Sequence, residues 1–262
     1  MYAQPQLALL GSQAIAVTPD GVERGTVHRS LEAASILWTS VFDNPFIHPT
    51  VMFRTAVVRD ALGGYRKEFD PFSQDYDLWC RVLERYPAAN LADRLIRHRV
   101  HESSIMGRLS GGTDRQAYDE HFDQIARTLI IRQGRRLFDE TALSDEEARL
   151  LPGLILGLPA TDLEPFLRLF DSLLREFTQR HSGTDTPDFA LTLARQYDAL
   201  SMRVTPSSRP ATLRVLQHGK RHHPEIAAYL SWPRMLTLLL FGKRGRERVA
   251  AWSRRFMAGS ID

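Results

Sequence analysis

Apolar residues with β-branched members run from Leu7 to Val17, and Thr18-Pro19-Asp20-Gly21 then separates them from a second short run, VERGTV. A turn sequence between two such runs predicts a β-hairpin. The period then changes. Ser30 is a good helix N-cap, and LEAASILWTSVF behind it, with Glu32 in the first turn, predicts a helix. HPTVMF (His48 to Phe53) is a short apolar run of strand type, and RTAVVRDALGGY predicts a brief helix closed by Gly63 and Gly64. In FSQDYDLWCRVLERYP (Phe72 to Pro87), Leu78, Trp79, Val82, Leu83 and Tyr86 recur at helical spacing behind Gln74, Asp75 and Asp77. LADRLIRHRVH then predicts a last strand through Leu95, Ile96 and Val100.

Beyond GRLSGGTDR the pattern is helical from about Gln116 onward, broken at Pro152, Pro159, Pro187, Pro206, Pro224 and Pro233. A boundary is expected in the loop from Leu109 to Thr113. It divides an α/β region, residues 1–110, from a mainly α-helical extension, residues 111–262. No internal repeat stands out.

Composition narrows the class. With 262 residues, 43% hydrophobic and 25% charged, the chain is long enough for one large domain or two ordinary ones of the soluble globular type. The single cysteine, Cys80, excludes an internal disulfide and points to a reducing compartment. The start, YAQPQLALLG after Met1, lacks the basic and long apolar regions of a signal peptide, so none is expected. The tract MLTLLLF (Met235 to Phe241) is far short of the roughly 20 residues that span a bilayer.

Charge is uneven along the chain. From Arg203 to Asp262, twelve Lys or Arg stand against three acids, so this tail carries +9 and the remainder −6 within a total of +3. A basic tail on an acidic body suits an anionic partner, membrane headgroups or nucleic acid; the alternative is a solvated helix face.

Three ordered motifs carry a resemblance: NPFIHPTVMFR, then GGYRKEFDPFSQDYDLWCRVLER, then RLIRHRVHESS. Together they resemble the second half of a family 2 glycosyltransferase of the GT-A fold, the nucleotide-sugar-dependent enzymes of bacterial polysaccharide synthesis. The likeness covers roughly Pro5 to Ser104, with QPQLALLGS resembling the strand after the family's metal-binding Asp-x-Asp. It implies a partial GT-A-type mixed sheet with flanking helices, and inverting sugar transfer to a saccharide or lipid-linked acceptor.

The resemblance places the catalytic base at Asp75, the second member of an acidic pair at a helix start. A helix N-terminus stabilises negative charge and keeps such a carboxylate ionised; ordinary helix capping is the competing reading. Gln74 stands where the family has the first acid; it can hydrogen-bond an acceptor but cannot take a proton. Asp77 is read as a helix-surface or salt-bridge residue. Asn44 and His48 are placed near sugar and acceptor, against the alternative of a Pro-bracketed turn in which Asn44 bonds its own backbone. His101 matches a family histidine that helps to bind Mn²⁺ or Mg²⁺, although one imidazole does not hold a hard cation alone; His98 and Arg99 offer charge for phosphate. Trp79 reads as packing and Cys80 as a buried, unactivated thiol.

The family's opening strand, acidic base-binding loop and Asp-x-Asp have no counterpart before the matching region. A chain of this kind is expected to be a truncated gene fragment, a late-start product or a piece that associates with another subunit. It is expected to be incomplete or inactive alone, with its divalent cation and nucleotide-sugar donor bound only once the missing half is supplied. The segment Lys220 to Phe256 suits a basic amphipathic surface on an anionic membrane, consistent with a cytoplasmic protein at the inner membrane face. His222-His223 is not expected to bind metal, for want of a set of acidic or thiolate partners around it. The competing function is a non-catalytic helical module that contacts anionic membrane or nucleic acid through the tail; under the transferase reading nucleic acid is not expected.

Overall fold

The computed structural model describes residues 1–69, 73–99, 101, 115–138, 143–159, 161–203 and 209–229. These form two compact units: Met1–Pro152 with Glu176–Phe189, and Gly153–Arg175 with the chain from Ala190 onward. The boundary loop at Leu109 to Thr113, the MLTLLLF tract and most of the basic tail lie outside the described residues.

The first unit is built around strand β1 (Leu9–Val17). Strand β2 (Glu23–Val27) returns antiparallel, with Ala14 opposite Val27 and Ile15 opposite Thr26. The expected hairpin forms because its turn is satisfied locally. Val22 N donates to Thr18 Oγ1 at 2.9 Å, and Gly21 takes a φ of +91°, which glycine adopts without a Cβ penalty. Strand β3 (Met52–Phe53) pairs antiparallel with Leu9 and Leu10. Strand β4 (Ala88–Arg99) runs parallel to the whole of β1. One edge of β1 is therefore occupied by β4 and the other by β2 and β3. The result is a small mixed sheet. Such a parallel pair needs a long crossover, and this one carries the elements of the candidate site.

Two side chains fix β4 in place, one from β1 and one from β4 itself. The register slips on both sides of Gln13, which strands a carbonyl. Gln13 Nε2 donates to that oxygen, on Leu91, at 3.0 Å, and to Arg29 O at 3.2 Å. Asn90 Nδ2 donates to Ser30 O at 2.7 Å and to Pro45 O at 3.1 Å, tying β4 to the loop that begins NPF. Gly11 makes room for it: a Cβ there would lie 2.1 Å from Asn90 Oδ1. The strand begins at Ala88, earlier than the sequence pattern suggested, because Ala88 and Asn90 pack inward. Beyond them its residues are largely exposed, Leu95 to 62%.

Helix α1 (Ala33–Thr39) is shorter than expected, and its N-cap is Glu32 rather than Ser30. Ser30 Oγ instead faces Thr39 Oγ1 at 3.3 Å. The free N–H groups at this end find Asp188, whose Oδ2 accepts from Leu31 N and Glu32 N, each at 3.1 Å. A carboxylate far along the chain thus replaces the local hydroxyl, and it also suits the positive end of the helix. Trp38 of α1 packs edge-on against Phe42 and lies beside Phe138, Phe177 and Phe189, which seats Glu176–Phe189 in this unit.

The run HPTVMF divides into a 3₁₀ turn, His48–Thr50, and the two residues of β3. The hydroxyl of Thr50 donates to Ile47 O at 2.8 Å and accepts from Ser12 N at 3.0 Å, which fixes the turn against β1. The brief helix after it is π-helical, Ala56–Ala61, and Gly63 and Gly64 close it at φ +72° and +73°. Helix α2 (Gln74–Leu83) buries Leu78, Trp79 and Val82 against Ala8, Leu9, Ile36, Phe46, Val58 and Ala88. Burial of each aliphatic member is worth roughly 1.5–3 kcal/mol, enough to hold the polar start of α2 in a fixed place. Helix α3 (Arg115–Leu137) and the short α4 (Asp145–Ala148), with its Ser144–Glu147 capping box, complete this part.

The second unit is helical, as the pattern from Gln116 onward predicts. It contains α5 (Gly153–Leu156), most of α6 (Leu163–Arg180), most of α7 (Pro187–Arg203), α8 (Arg209–His222) and a 3₁₀ turn, Pro224–Ala228. Phe166, Phe170, Leu193, Tyr197, Leu200, Val215 and Ile226 are buried within it. Among the described residues no helix is long and apolar enough to cross a membrane.

Candidate functional site

The first turn of α2 is reached through Ser73, whose φ of 62° places a non-glycine residue in the left-handed region. This costs roughly 1–2 kcal/mol and is held by the packed face of α2 behind it. Ser73 O still accepts the first helical hydrogen bond, from Asp77 N at 2.9 Å. Gln74 and Asp75 follow, both half-buried.

Asp75 is the centre of a compact polar group. Its Oδ1 accepts from Tyr76 N at 2.8 Å. Its Oδ2 accepts from Asn44 Nδ2 at 2.9 Å, and His48 Nδ1 lies 3.5 Å from the same oxygen. That separation suits a charge interaction and exceeds an ordinary hydrogen bond. Three residues nominated separately in the sequence therefore meet at one carboxylate. The carboxylate is 17% exposed and His48 48% exposed, so the group opens to solvent on the imidazole side. Two carboxylate oxygens offer about four acceptor directions, and capacity remains for a further donor.

Asn44 does two things at once. Its Oδ1 accepts from Phe46 N at 3.1 Å, a local turn bond, while its amide nitrogen serves Asp75. The turn reading and the site reading of Asn44 are thus compatible. Phe46 in turn packs edge-on against Trp79, ring centroids 6.1 Å apart. His48 is framed by aromatics: Trp79 edge-on at 6.0 Å, and Tyr65, whose hydroxyl lies 3.2 Å from His48 Nε2. Trp79 is fully buried, as expected of a packing residue, and supplies the wall on which the imidazole rests. Tyr65 was not foreseen from sequence; an aromatic directly after a Gly-Gly cap was the available signal. Its phenol is held above its ordinary pKa by burial and then by the charge of Asp75.

Of the two roles expected for Asp77 the structure gives the salt bridge, and the side chain is wholly buried rather than on the helix surface. Its Oδ2 accepts from Arg81 Nε at 2.8 Å, and its Oδ1 meets Arg132 of α3 and, at 3.7 Å, Arg66. Arg81 then donates to Leu62 O at 2.7 Å and Gly64 O at 2.6 Å, fixing the segment that ends at Tyr65. A carboxylate this deep needs such partners. Cys80 is buried on the same helix, and burial raises its pKa, so it remains a thiol.

His101 lies two residues beyond the end of β4 and is half-buried; the contacts that join Asn44, His48 and Asp75 do not include it. His98 and Arg99, at the end of β4, are exposed. The chain can therefore place a carboxylate, an amide, an imidazole and a phenol around one partly open surface, a set with the group types to bind a hydroxyl and accept its proton.

Against known proteins, 69 residues are 39% identical to the O-antigen biosynthesis glycosyltransferase WbnJ of Escherichia coli. The match covers 24% of this chain and spans about a quarter of the relative's length. No family model matches the chain. No solved structure matches it either. The similarity relates part of the chain to a glycosyltransferase.

Proposed function

We propose that Asn44, His48 and Asp75 form the acceptor side of an inverting glycosyltransferase active site of the family 2, GT-A type. The observation that carries this reading is the convergence of Asn44 Nδ2 and His48 Nδ1 on Asp75 Oδ2, at 2.9 and 3.5 Å, in a chain related in part to a glycosyltransferase.

Asp75 acts as the base. An acceptor hydroxyl attacks the anomeric carbon of a nucleotide sugar, a new C–O bond forms, and the bond to the nucleoside diphosphate breaks with its electron pair. The hydroxyl proton passes to the Asp75 carboxylate. Asn44 orients that carboxylate, and the exposed imidazole of His48 and the amide of Gln74 meet the acceptor. The acceptor is a saccharide or a lipid-linked saccharide, and the basic tail suits an anionic membrane on which such a lipid would sit.

A divalent cation on the departing diphosphate is the family's usual aid, and the described residues here do not fit one. His101 is a single imidazole, and hard cations want several oxygen ligands; the described side chains that could group around an ion are Asp171, His218 and His222, in the other unit. The proton transfer above needs only this chain's own residues; donor and cation are held by elements beyond them.

The test is the configuration of the new glycosidic bond, read by proton NMR and compared with that of the nucleotide-sugar donor, in a preparation of this chain that transfers sugar to acceptor. Direct displacement with a carboxylate base gives inversion. Retention would contradict the proposal.

A further inference from the structure

The histidines near the end of α8 do have an acidic partner, although it lies 47 residues away from His218 in the chain. Asp171 projects from α6 into a cluster of imidazoles within the second unit. Its two oxygens are used differently. Oδ1 is held by His223 Nε2 at 3.1 Å and accepts from Tyr197 OH at 3.4 Å. Oδ2 faces His218 Nε2 at 2.8 Å and His222 Nδ1 at 3.8 Å. His218 and His222 lie four residues apart on one face of α8, with their rings stacked 4.3 Å centroid to centroid. The facing atoms of Asp171, His218 and His222 all lie within 4.8 Å of one another.

We propose that Asp171 Oδ2, His218 Nε2 and His222 Nδ1 bind a divalent transition-metal ion of the zinc class. Two imidazoles and one carboxylate are the donor types zinc takes at about 2.0–2.2 Å, and their i, i+4 spacing with a carboxylate from a second helix gives a three-ligand set. Ligands at that bond length stand roughly 3.3–3.5 Å apart in a tetrahedral site, so the present separations need only small side-chain rotations. Three further features favour a cation. His223 and Tyr197 hold Oδ1 and so leave Oδ2 directed at the two other rings, the kind of outer support that orients a metal ligand. His223 Nδ1 in turn faces Glu225 Oε1 at 3.6 Å, which fixes that ring. His222 is the last residue of α8, where the helix dipole is negative. Against the ion stand Lys220 and Arg221 on the same turn, both exposed and so screened by water. His222 is 47% exposed, which gives the ion a way in and leaves a coordination position for water.

The proposal is tested on the full chain, stripped with chelator and carrying no polyhistidine tag. Zn²⁺ is titrated against a chromophoric chelator, and Co²⁺ is added separately to read its visible absorption. The expected result is one Zn²⁺ per chain, a melting temperature raised by several degrees, and a tetrahedral-type cobalt spectrum. His222→Ala, chosen because that ring is half exposed and its loss leaves the fold intact, weakens Zn²⁺ binding at least 10-fold. Asp171→Asn does the same, while His98→Ala, on exposed β4, leaves binding unchanged. Stoichiometric binding that survives in a folded His222→Ala variant at unchanged affinity overturns the site. So does the lack of any binding by the wild-type chain above that of a His218→Ala/His222→Ala double variant.

Discussion

Removing the Asp77 carboxylate is expected to destabilise the first unit more than any substitution at the candidate site itself. The side chain is fully buried, and Arg81, the most deeply buried of its three partners, is only 6% exposed. Asp77→Ala would leave the Arg81 guanidinium buried without its counter-charge, and breaking one side of such a pair costs about 3–5 kcal/mol. Arg81 keeps its bonds to Leu62 O and Gly64 O, which places the expected loss near the lower end. Arg132 and Arg66, 30% and 46% exposed, can turn toward water and add little. Urea unfolding followed by tryptophan fluorescence measures this. With a slope of about 3 kcal/mol per M, the midpoint falls by about 1 M or more. The double variant Asp77→Ala/Arg81→Met removes the orphaned charge as well. Its loss is expected to be smaller than the sum of the single losses by about 1 kcal/mol or more. A single-variant midpoint within about 0.3 M of wild type, at unchanged slope, would refute the role given to this ion pair.

Other consequences follow from the same packing. Gly11→Ala sets a Cβ 2.1 Å from Asn90 Oδ1, so the Asn90 links to Ser30 and Pro45 must shift; a loss of about 1–3 kcal/mol is expected in the same unfolding assay. Asp188→Ala leaves Leu31 N and Glu32 N without their acceptor and should cost about 1 kcal/mol, whereas a change under about 0.2 kcal/mol would deny it the capping role. Cys80, buried and held as a thiol, should resist a maleimide or disulfide reagent in the native chain and react fully in denaturant; rapid native labelling would contradict that burial.

The hairpin and α2 were legible because their signals are local: Thr18 to Gly21 make a turn by themselves, and the apolar face of α2 repeats at helical spacing. Parts of the first unit were not, because a distant residue settled them. Ser30 is a good N-cap by type, yet it is Asp188 that binds the backbone amides leading into α1, and no local pattern announces that. Asp77 and Arg81 at i, i+4 have the spacing of an exposed helix pair; only the arrival of Arg132 from α3 and the Leu62–Gly64 carbonyls explains their burial. Asn44, His48 and Asp75 could be named one by one from their motifs, whereas their meeting at a single oxygen depends on the loop that Asn90 ties to β4. Tyr65 joined them through the Arg81 clamp. In the second unit the tandem His222-His223 was visible in sequence without its acid, since Asp171 lies on a different helix.

The proton-accepting role of Asp75 is the claim on which the functional reading depends, and Asp75→Asn tests it most directly. The amide keeps the shape of the side chain and its place at the start of α2 but has no useful basicity. In a preparation of this chain that transfers sugar, initial rates of nucleoside diphosphate release with acceptor present are expected to fall about 10²–10⁴-fold, with the unfolding midpoint close to that of wild type. A folded Asp75→Asn variant that transfers sugar within a few-fold of the wild-type rate would contradict the account.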